Sequence, residues 1–199
     1  MSPSKLTAHY YQQPDVVPLA RSLLGKYLMT NIRDVLTGGI ITETEAYEGI
    51  TDKASHAYNG LHSRRTETMY REGGICYVYL CYGMHHLFNV VTNKENIPHA
   101  VLIRGIFPRI GTEEMQKRTG KLISGYELTN GPGKLSKALG ITVKRNGTSL
   151  TGNTIWIEDR GIKIQDSNID TSTRIGVGYA GEDALLPYRF TLNYKNYIK

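Results

Sequence analysis

Hydrophobic positions along this chain fall mostly into short runs with the two-residue period of strands, and only a few recur at helical spacing. Leu19, Leu23 and Leu24 do so, behind Asp15 as a capping residue and ahead of Gly25, so a helix is predicted over residues 15–24. Strand-like stretches follow at 26–33 and 40–47, with a turn expected around Thr37-Gly38-Gly39. Ile75 to Cys81 and His86 to Thr92 read as two strands, with Tyr82-Gly83-Met84-His85 as the tip between them and Gly83 supplying the turn. Ala100 to Phe107 reads as a buried strand, and 155–158, 163–165 and 188–192 as shorter ones. Two more helices are predicted, over 113–119 and 132–139. The second has Asn130 as a candidate cap, Pro132 in its first turn and Gly140 past its end. Residues 48–74 are irregular and polar, and a connection that long inside a compact domain tends to carry function. Strands that mostly neighbour one another, with few helices between, predict an antiparallel α+β domain.

No repeat, low-complexity tract or linker divides the 199 residues, so 1–199 is expected to be one domain, with 1–10 as a loose N-terminal lead. Hydrophobic content of 40% and charged content of 21% exclude wholesale disorder. The longest apolar run, Ile75 to Tyr82, is far short of the roughly 20 residues that a membrane-spanning helix needs. The first residues lead into polar sequence without an apolar signal core, so an intracellular protein is expected. Cys76 and Cys81 have opposite strand parity and should not bridge. Their spacing to His85 and His86 matches no common zinc pattern, and no metal is assigned. The 24 basic and 18 acidic residues leave a net charge of +6, which favours a polyanionic partner only weakly. The 14 tyrosines, against 3 phenylalanines and 1 tryptophan, say more. A tyrosine ring is a flat stacking face with a wet edge, suited to bases, although tyrosines also simply fill half-buried strands.

Several positions stand out chemically. Alternation places Glu43, Glu45 and Tyr47 on one face of their strand. Two adjacent carboxylates commonly mark a solvated edge; held beside an aromatic ring, either could serve as a general base or stabilise a cationic sugar. Spacing does not choose between Glu43 and Glu45. Arg104 interrupts a buried strand, so it needs a carboxylate such as Glu45 or must reach water at the strand end. Asn89 lies within another apolar strand, where it bonds backbone or reads a ligand edge. Tyr82, on the hairpin tip, either wedges between stacked bases or folds back on the sheet. His56 lies in the long loop, where a surface histidine is the ordinary reading. Asn130 to Lys134 open a helix whose free N–H groups could hold a phosphate. Gly176, Gly178 and Gly181 formally match a dinucleotide fingerprint, but no strand and long helix flank them, so that site is rejected.

Taken together the chain resembles the alkyladenine (3-methyladenine) DNA glycosylases. The matching pieces are Gln13-Pro14 through Leu24-Gly25, Glu43-Thr44-Glu45-Ala46-Tyr47, Tyr77-Val78-Tyr79 to Tyr82-Gly83-Met84, Asn89 and Leu102-Ile103-Arg104. Gly131-Pro132-Gly133-Lys134-Leu135, Arg174 to Gly178 and Arg189-Phe190 complete them, in family order over nearly the whole chain. The resemblance implies an α+β fold with a curved, mostly antiparallel sheet, flanking helices and a protruding hairpin. It implies that Glu45 activates water, with Arg104 and the backbone carbonyl of Ile175 completing the water's shell. Tyr47, His56 and Tyr79 would wall the flipped base, Asn89 would disfavour the amine of normal guanine, and Tyr82 would fill the gap left in the duplex. Ile175 stands where valine is common in the family, and Tyr179 where histidine occurs.

The implied activity is excision of alkylated or deaminated purines from double-stranded DNA by a monomeric, cofactor-free hydrolase that leaves an abasic site. No lysine nucleophile is implied, hence no strand cleavage. Two other classes compete: a non-enzymatic binder of damaged DNA, which would tolerate loss of Glu45, and a hydrolase of free nucleosides, which would tolerate loss of Tyr82.

Overall fold

The computed structural model describes residues 3–197. Among them nine strands join in one sheet in which every pairing is antiparallel: β1 (Ser4–Lys5), β2 (Tyr27–Ile32), β3 (Val35–Tyr47), β4 (Cys76–Cys81), β5 (His85–Thr92), β6 (His99–Ile110), β7 (Ile155–Asp159), β8 (Ile169–Ser172) and β9 (Arg189–Leu192). The main order is β1-β7-β2-β3-β6-β5-β4, and β9 pairs with both β3 and β8. Four helices, α1 (Ala8–Tyr11), α2 (Val16–Ser22), α3 (Thr112–Thr119) and α4 (Pro132–Leu139), complete the α+β architecture. No helix among the described residues is long and apolar enough to cross a membrane.

The long strand β3 organises the rest. One of its edges pairs with β6 along 38–47, while the other is shared: residues 35–40 take β2 and residues 43–45 take β9. The sheet therefore forks at about Ile41 to Glu43. The β3–β6 register shifts at the same level, so that Thr42 and Arg104 have no direct partners, and such irregularities re-aim side chains. One face of the sheet carries the helices. Thr44 donates its hydroxyl to the Ala20 carbonyl of α2 at 2.8 Å, and Leu19, Leu23, Leu135 and Leu139 pack with Ile41, Phe88, Ile103 and Ile106 in the main core. Each such buried side chain contributes about 1.5–3 kcal/mol. By alternation, Glu43 and Glu45 project from the opposite face.

Local chemistry explains most boundaries. The Asp15 carboxylate accepts from the Val17 N–H at 3.0 Å and starts α2. Pro132 opens α4, and left-handed Gly140 closes it. The cap of α4 is Gly131 rather than Asn130, whose side chain instead accepts from Lys134 Nζ at 2.7 Å. Cys76 and Cys81 are both free.

Three other expectations are corrected. The turn placed at Thr37-Gly38-Gly39 lies at Arg33-Asp34, which join β2 to β3 with φ of 56° and 59°, the geometry of a tight hairpin. Gly38 and Gly39 lie inside β3 and answer a packing need: a Cβ on Gly39 would sit 2.2 Å from the Phe107 carbonyl oxygen, and one on Gly38 2.3 Å from Met29 Sδ. Residues 163–165 form no strand; Ile164 packs on the core against Gly25, and the last hairpin is built from β8 and β9 instead. Within the expected loose lead, the first two residues lie outside the described part. Ser4–Lys5 pair with β7, and Leu6 and Tyr11 are buried in the core, which ties that segment down.

Gly39→Ala should destabilise the protein by about 2–4 kcal/mol, because the obstructing atom is backbone and has no rotamer to change. Urea unfolding against wild type measures this, and an unchanged midpoint would contradict the close approach.

Candidate active site

Where the sheet forks, two carboxylates and two guanidinium groups meet under a cavity. Glu45 is fully buried, and Glu43 nearly so, which excludes the solvated-edge reading of this pair. Glu45 is held at three points. Its Oε1 accepts from the Ile175 N–H at 2.8 Å, and its Oε2 accepts from the Tyr47 hydroxyl at 2.9 Å and from Arg104 Nη1 at 3.3 Å. Arg104 also donates through Nε to Glu43 Oε1 at 2.9 Å, and Arg189 Nε donates to the same oxygen at 2.7 Å. Arg104 therefore finds carboxylates rather than water; its side chain is only 12% exposed.

Burial raises the pKa of the Glu45 carboxyl. Arg104, the Ile175 amide and the Tyr47 hydroxyl pull it back down, and the Glu43 charge adds a smaller upward push. A carboxylate kept desolvated yet held by donors is poised to take a proton.

The cavity above has a volume of about 770 Å³, and its lining includes Tyr47, His56, Tyr77, Tyr79, Asn89 and Arg104. Glu45 is not itself part of this lining, but the three residues that bond it, Tyr47, Arg104 and Ile175, are. Tyr77 and Tyr79 stack with centroids 5.4 Å apart, and His56 meets the Tyr79 ring edge-on at 4.6 Å. The site thus offers flat π faces of a size suited to an aromatic ligand. His56 is no ordinary surface histidine. Its Nε2 accepts from Arg65 at 3.2 Å, which leaves Nδ1–H to donate to the Tyr77 hydroxyl at 2.9 Å. Burial and the Arg65 charge lower its pKa to about 4, so the ring is neutral near pH 7. Asn89 bonds backbone, donating to the Tyr77 carbonyl at 3.1 Å, and it also lines the cavity. Tyr82 does not fold back. It lies on the three-residue turn between β4 and β5, with φ of 50°, and is 88% exposed beside exposed Met84.

Sequence reasoning brought Glu45, Tyr47, His56, Tyr79, Asn89, Arg104 and Ile175 to one place, with Tyr82 at the same cavity's mouth. It assigned Ile175 a role for its carbonyl, whereas the bond found here is made by its N–H. It gave no role to Arg174, Asp52 or Arg65. Arg174 and Asp52 form a fully buried two-point ion pair, which also bonds the Ala46 and Asp183 carbonyls. The guanidinium lies 4.8 Å from the Tyr47 ring and 5.3 Å from that of Tyr188. This pair ties the long 48–74 loop to the glycine-rich loop and braces Tyr47 from behind. Two charges 122 residues apart leave no local pattern; only the apolar neighbours of Arg174, Ile175 and Val177, hint that it turns inward. Arg65 lies 5.1 Å from the Tyr79 ring, an exposed cation on the cavity rim. Among the described residues, no group of three or more His, Cys, Asp or Glu side chains could hold a metal ion.

Residues 9–196 match the family model described as Methylpurine-DNA glycosylase. Curated relatives named "Putative 3-methyladenine DNA glycosylase" include one from Chlamydia felis, 48% identical over 96% of this chain and 97% of its own. Others come from Clostridium perfringens (strain 13 / Type A), 41% identical over 98% of each chain, and Bacillus cereus (strain AH820), 41% identical over 90% and 92%. The chain belongs to the methylpurine-DNA glycosylase family: it is a DNA glycosylase, a hydrolase of N-glycosyl bonds that acts on DNA in the repair of alkylated bases.

Arg174→Met should cost about 3–5 kcal/mol of stability, since it leaves Asp52 as an unpaired buried charge. Denaturant unfolding tests this; a loss below about 1 kcal/mol would show that the loop clamp is dispensable.

Proposed function

We propose that the protein rotates alkylated or deaminated purines (3-methyladenine, 7-methylguanine, hypoxanthine and ethenoadenine) out of duplex DNA and hydrolyses the N-glycosidic bond with a water activated by Glu45. The observation that supports this best is a buried, donor-held carboxylate whose partners line an aromatic cavity, with an exposed tyrosine on a hairpin turn at the same cavity. A purine inside a duplex is out of reach, and extruding it costs a few kcal/mol, least when it is poorly paired. Tyr82 and the hairpin tip enter the gap and hold it open. Tyr47, Tyr79 and His56 receive the base, each aromatic contact contributing about 1–3 kcal/mol. A cationic alkylpurine gains more from the electron-rich rings. Asn89 works as the gate against the exocyclic amine of normal guanine.

Departure of the base takes the bonding electron pair with it and leaves oxocarbenium character on the sugar. A cationic lesion leaves as a neutral base; a neutral one takes up a proton from solvent water. Glu45 stabilises the sugar cation and accepts a proton as water adds to the anomeric carbon, with Arg104 and the Ile175 carbonyl orienting that water. The products are a free base and an abasic site. Lys134, at the cavity rim, donates to Asn130 Oδ1 at 2.7 Å, and the proposed mechanism uses no amine nucleophile. The protein works as a monomer on double-stranded DNA inside the cell, without a cofactor.

The test is incubation of a hypoxanthine-containing duplex. The expected result is free hypoxanthine and an alkali-labile abasic site, with no strand break and no borohydride-trapped adduct; a trapped adduct would replace the water mechanism with an amine one. Tyr82→Ser should lower single-turnover excision from duplex at least about tenfold while sparing single-stranded substrate, and an equal loss on both would remove the wedge role. Glu45 must be ionised to act and its pKa is raised. Excision should therefore fall as pH drops through a value above the ordinary glutamate range of about 4.3. An acid limb at or below that range would contradict the assignment.

A further inference from the structure

Glu43 and Arg189 are not among the residues that line the cavity, and neither bonds the Glu45 carboxylate directly, yet both belong to the same charged cluster through Arg104. Glu43 Oε1 accepts two guanidinium N–H bonds at once, from Arg104 Nε on β6 and from Arg189 Nε on β9. Arg104 is thus divided between two carboxylates. Its bond to Glu43 is the shorter, 2.9 Å against 3.3 Å to Glu45. The fork in the sheet makes this possible: β9 reaches β3 only at residues 43–45, and Arg189 is the residue paired with Glu45 across that short ladder. Arg189 also donates to Ser172 at 3.3 Å, which fixes its fork.

We propose that Glu43 and Arg189 are positioning residues for the hydrolysis: Arg189 neutralises Glu43, and the pair sets how much of the Arg104 charge is left for Glu45. This rests on Glu45 being the base. Glu45 faces Arg104 from β6, Glu43 and Tyr47 from its own strand, and the Ile175 N–H and Arg174 from the glycine-rich loop. Arg189 acts on it through Glu43, which also faces Tyr126 from the turn before α4. Without Arg189, the Glu43 charge is uncompensated and draws Arg104 away from Glu45, so protonated Glu45 is favoured. Without the Glu43 charge, Arg104 belongs to Glu45 alone and Arg189 adds a second cation nearby, so ionised Glu45 is favoured. The two single substitutions therefore act with opposite sign. A merely structural role would weaken the fold in both cases and move the acid limb in neither.

The experiment is the pH profile of single-turnover hypoxanthine excision by wild type, Glu43→Gln, Arg189→Met, Arg189→Lys and Glu45→Gln. Thermal midpoints and affinity for a duplex carrying a stable abasic-site analogue are measured alongside. Glu43→Gln should move the acid limb to lower pH and Arg189→Met to higher pH. Each shift should be at least about half a unit, roughly threefold in rate at a fixed pH on the limb. Arg189→Lys should leave the limb in place, and affinity should stay within about twofold. Limbs that stay fixed, or that move in the same direction, overturn the proposal. If Arg189→Met does not fold, Glu43→Gln decides alone: a limb moved to lower pH supports the proposal, and any other result overturns it. If Glu45→Gln keeps wild-type excision, the base assignment has failed and this inference falls with it. An inactive Glu45→Gln with unmoved limbs in the other variants defeats this inference only.

Discussion

A carboxylate with no exposed surface has to be compensated by its neighbours, and much of this architecture follows from compensating Glu45. A lone charge there would be neutralised or would unfold its surroundings. The compensation comes from three separate parts of the chain: the guanidinium of Arg104 in β6, the hydroxyl of Tyr47 two residues along β3, and the Ile175 amide in the glycine-rich loop. The donors hold the charge without removing it. That combination of burial and partial compensation leaves the Glu45 carboxyl with a raised pKa.

The same requirement reaches outward. Ile175 can present its amide only if its loop is fixed, and Arg174, the residue before it, does the fixing by pairing with Asp52 and bonding two backbone carbonyls. Asp52 in turn organises the start of the 48–74 loop through bonds from Ala54 N–H and Glu48 N–H, and that loop delivers His56 to the cavity wall. One buried ion pair thereby couples the cavity wall to the residue that holds the carboxylate. Tyr47 belongs to both sides, its ring against Arg174 and its hydroxyl on Glu45.

Much of this was legible in the sequence where the signal is local. Strand parity put Glu43, Glu45 and Tyr47 on one face, and Tyr82 between two apolar runs marked a hairpin tip. An arginine inside an apolar run demanded a carboxylate and found two. What stayed hidden is non-local or depends on close approach. A Gly-Gly pair reads as a turn, yet Gly38 and Gly39 are strand residues against which Met29 and Phe107 pack, while the actual turn uses Arg33-Asp34 in left-handed geometry. The choice between Glu43 and Glu45 was closed to spacing alone, because both occupy the same face. The resemblance favoured Glu45, and the fold adds the asymmetry: Glu45 alone meets the Ile175 amide and Tyr47, whereas Glu43 meets the two arginines. Arg174 and Asp52 carried no pattern because their partnership exists only after the two loops have met.

We propose that the Glu45 carboxylate performs the chemistry rather than merely filling the sheet. Single-turnover release of hypoxanthine from duplex DNA by wild type and by the isosteric Glu45→Gln tests it most directly, with affinity for the same duplex measured in parallel. If Glu45 is the base, affinity is unchanged and excision falls by about 10²-fold or more. Excision by Glu45→Gln within about threefold of wild type, at equal affinity, would contradict it.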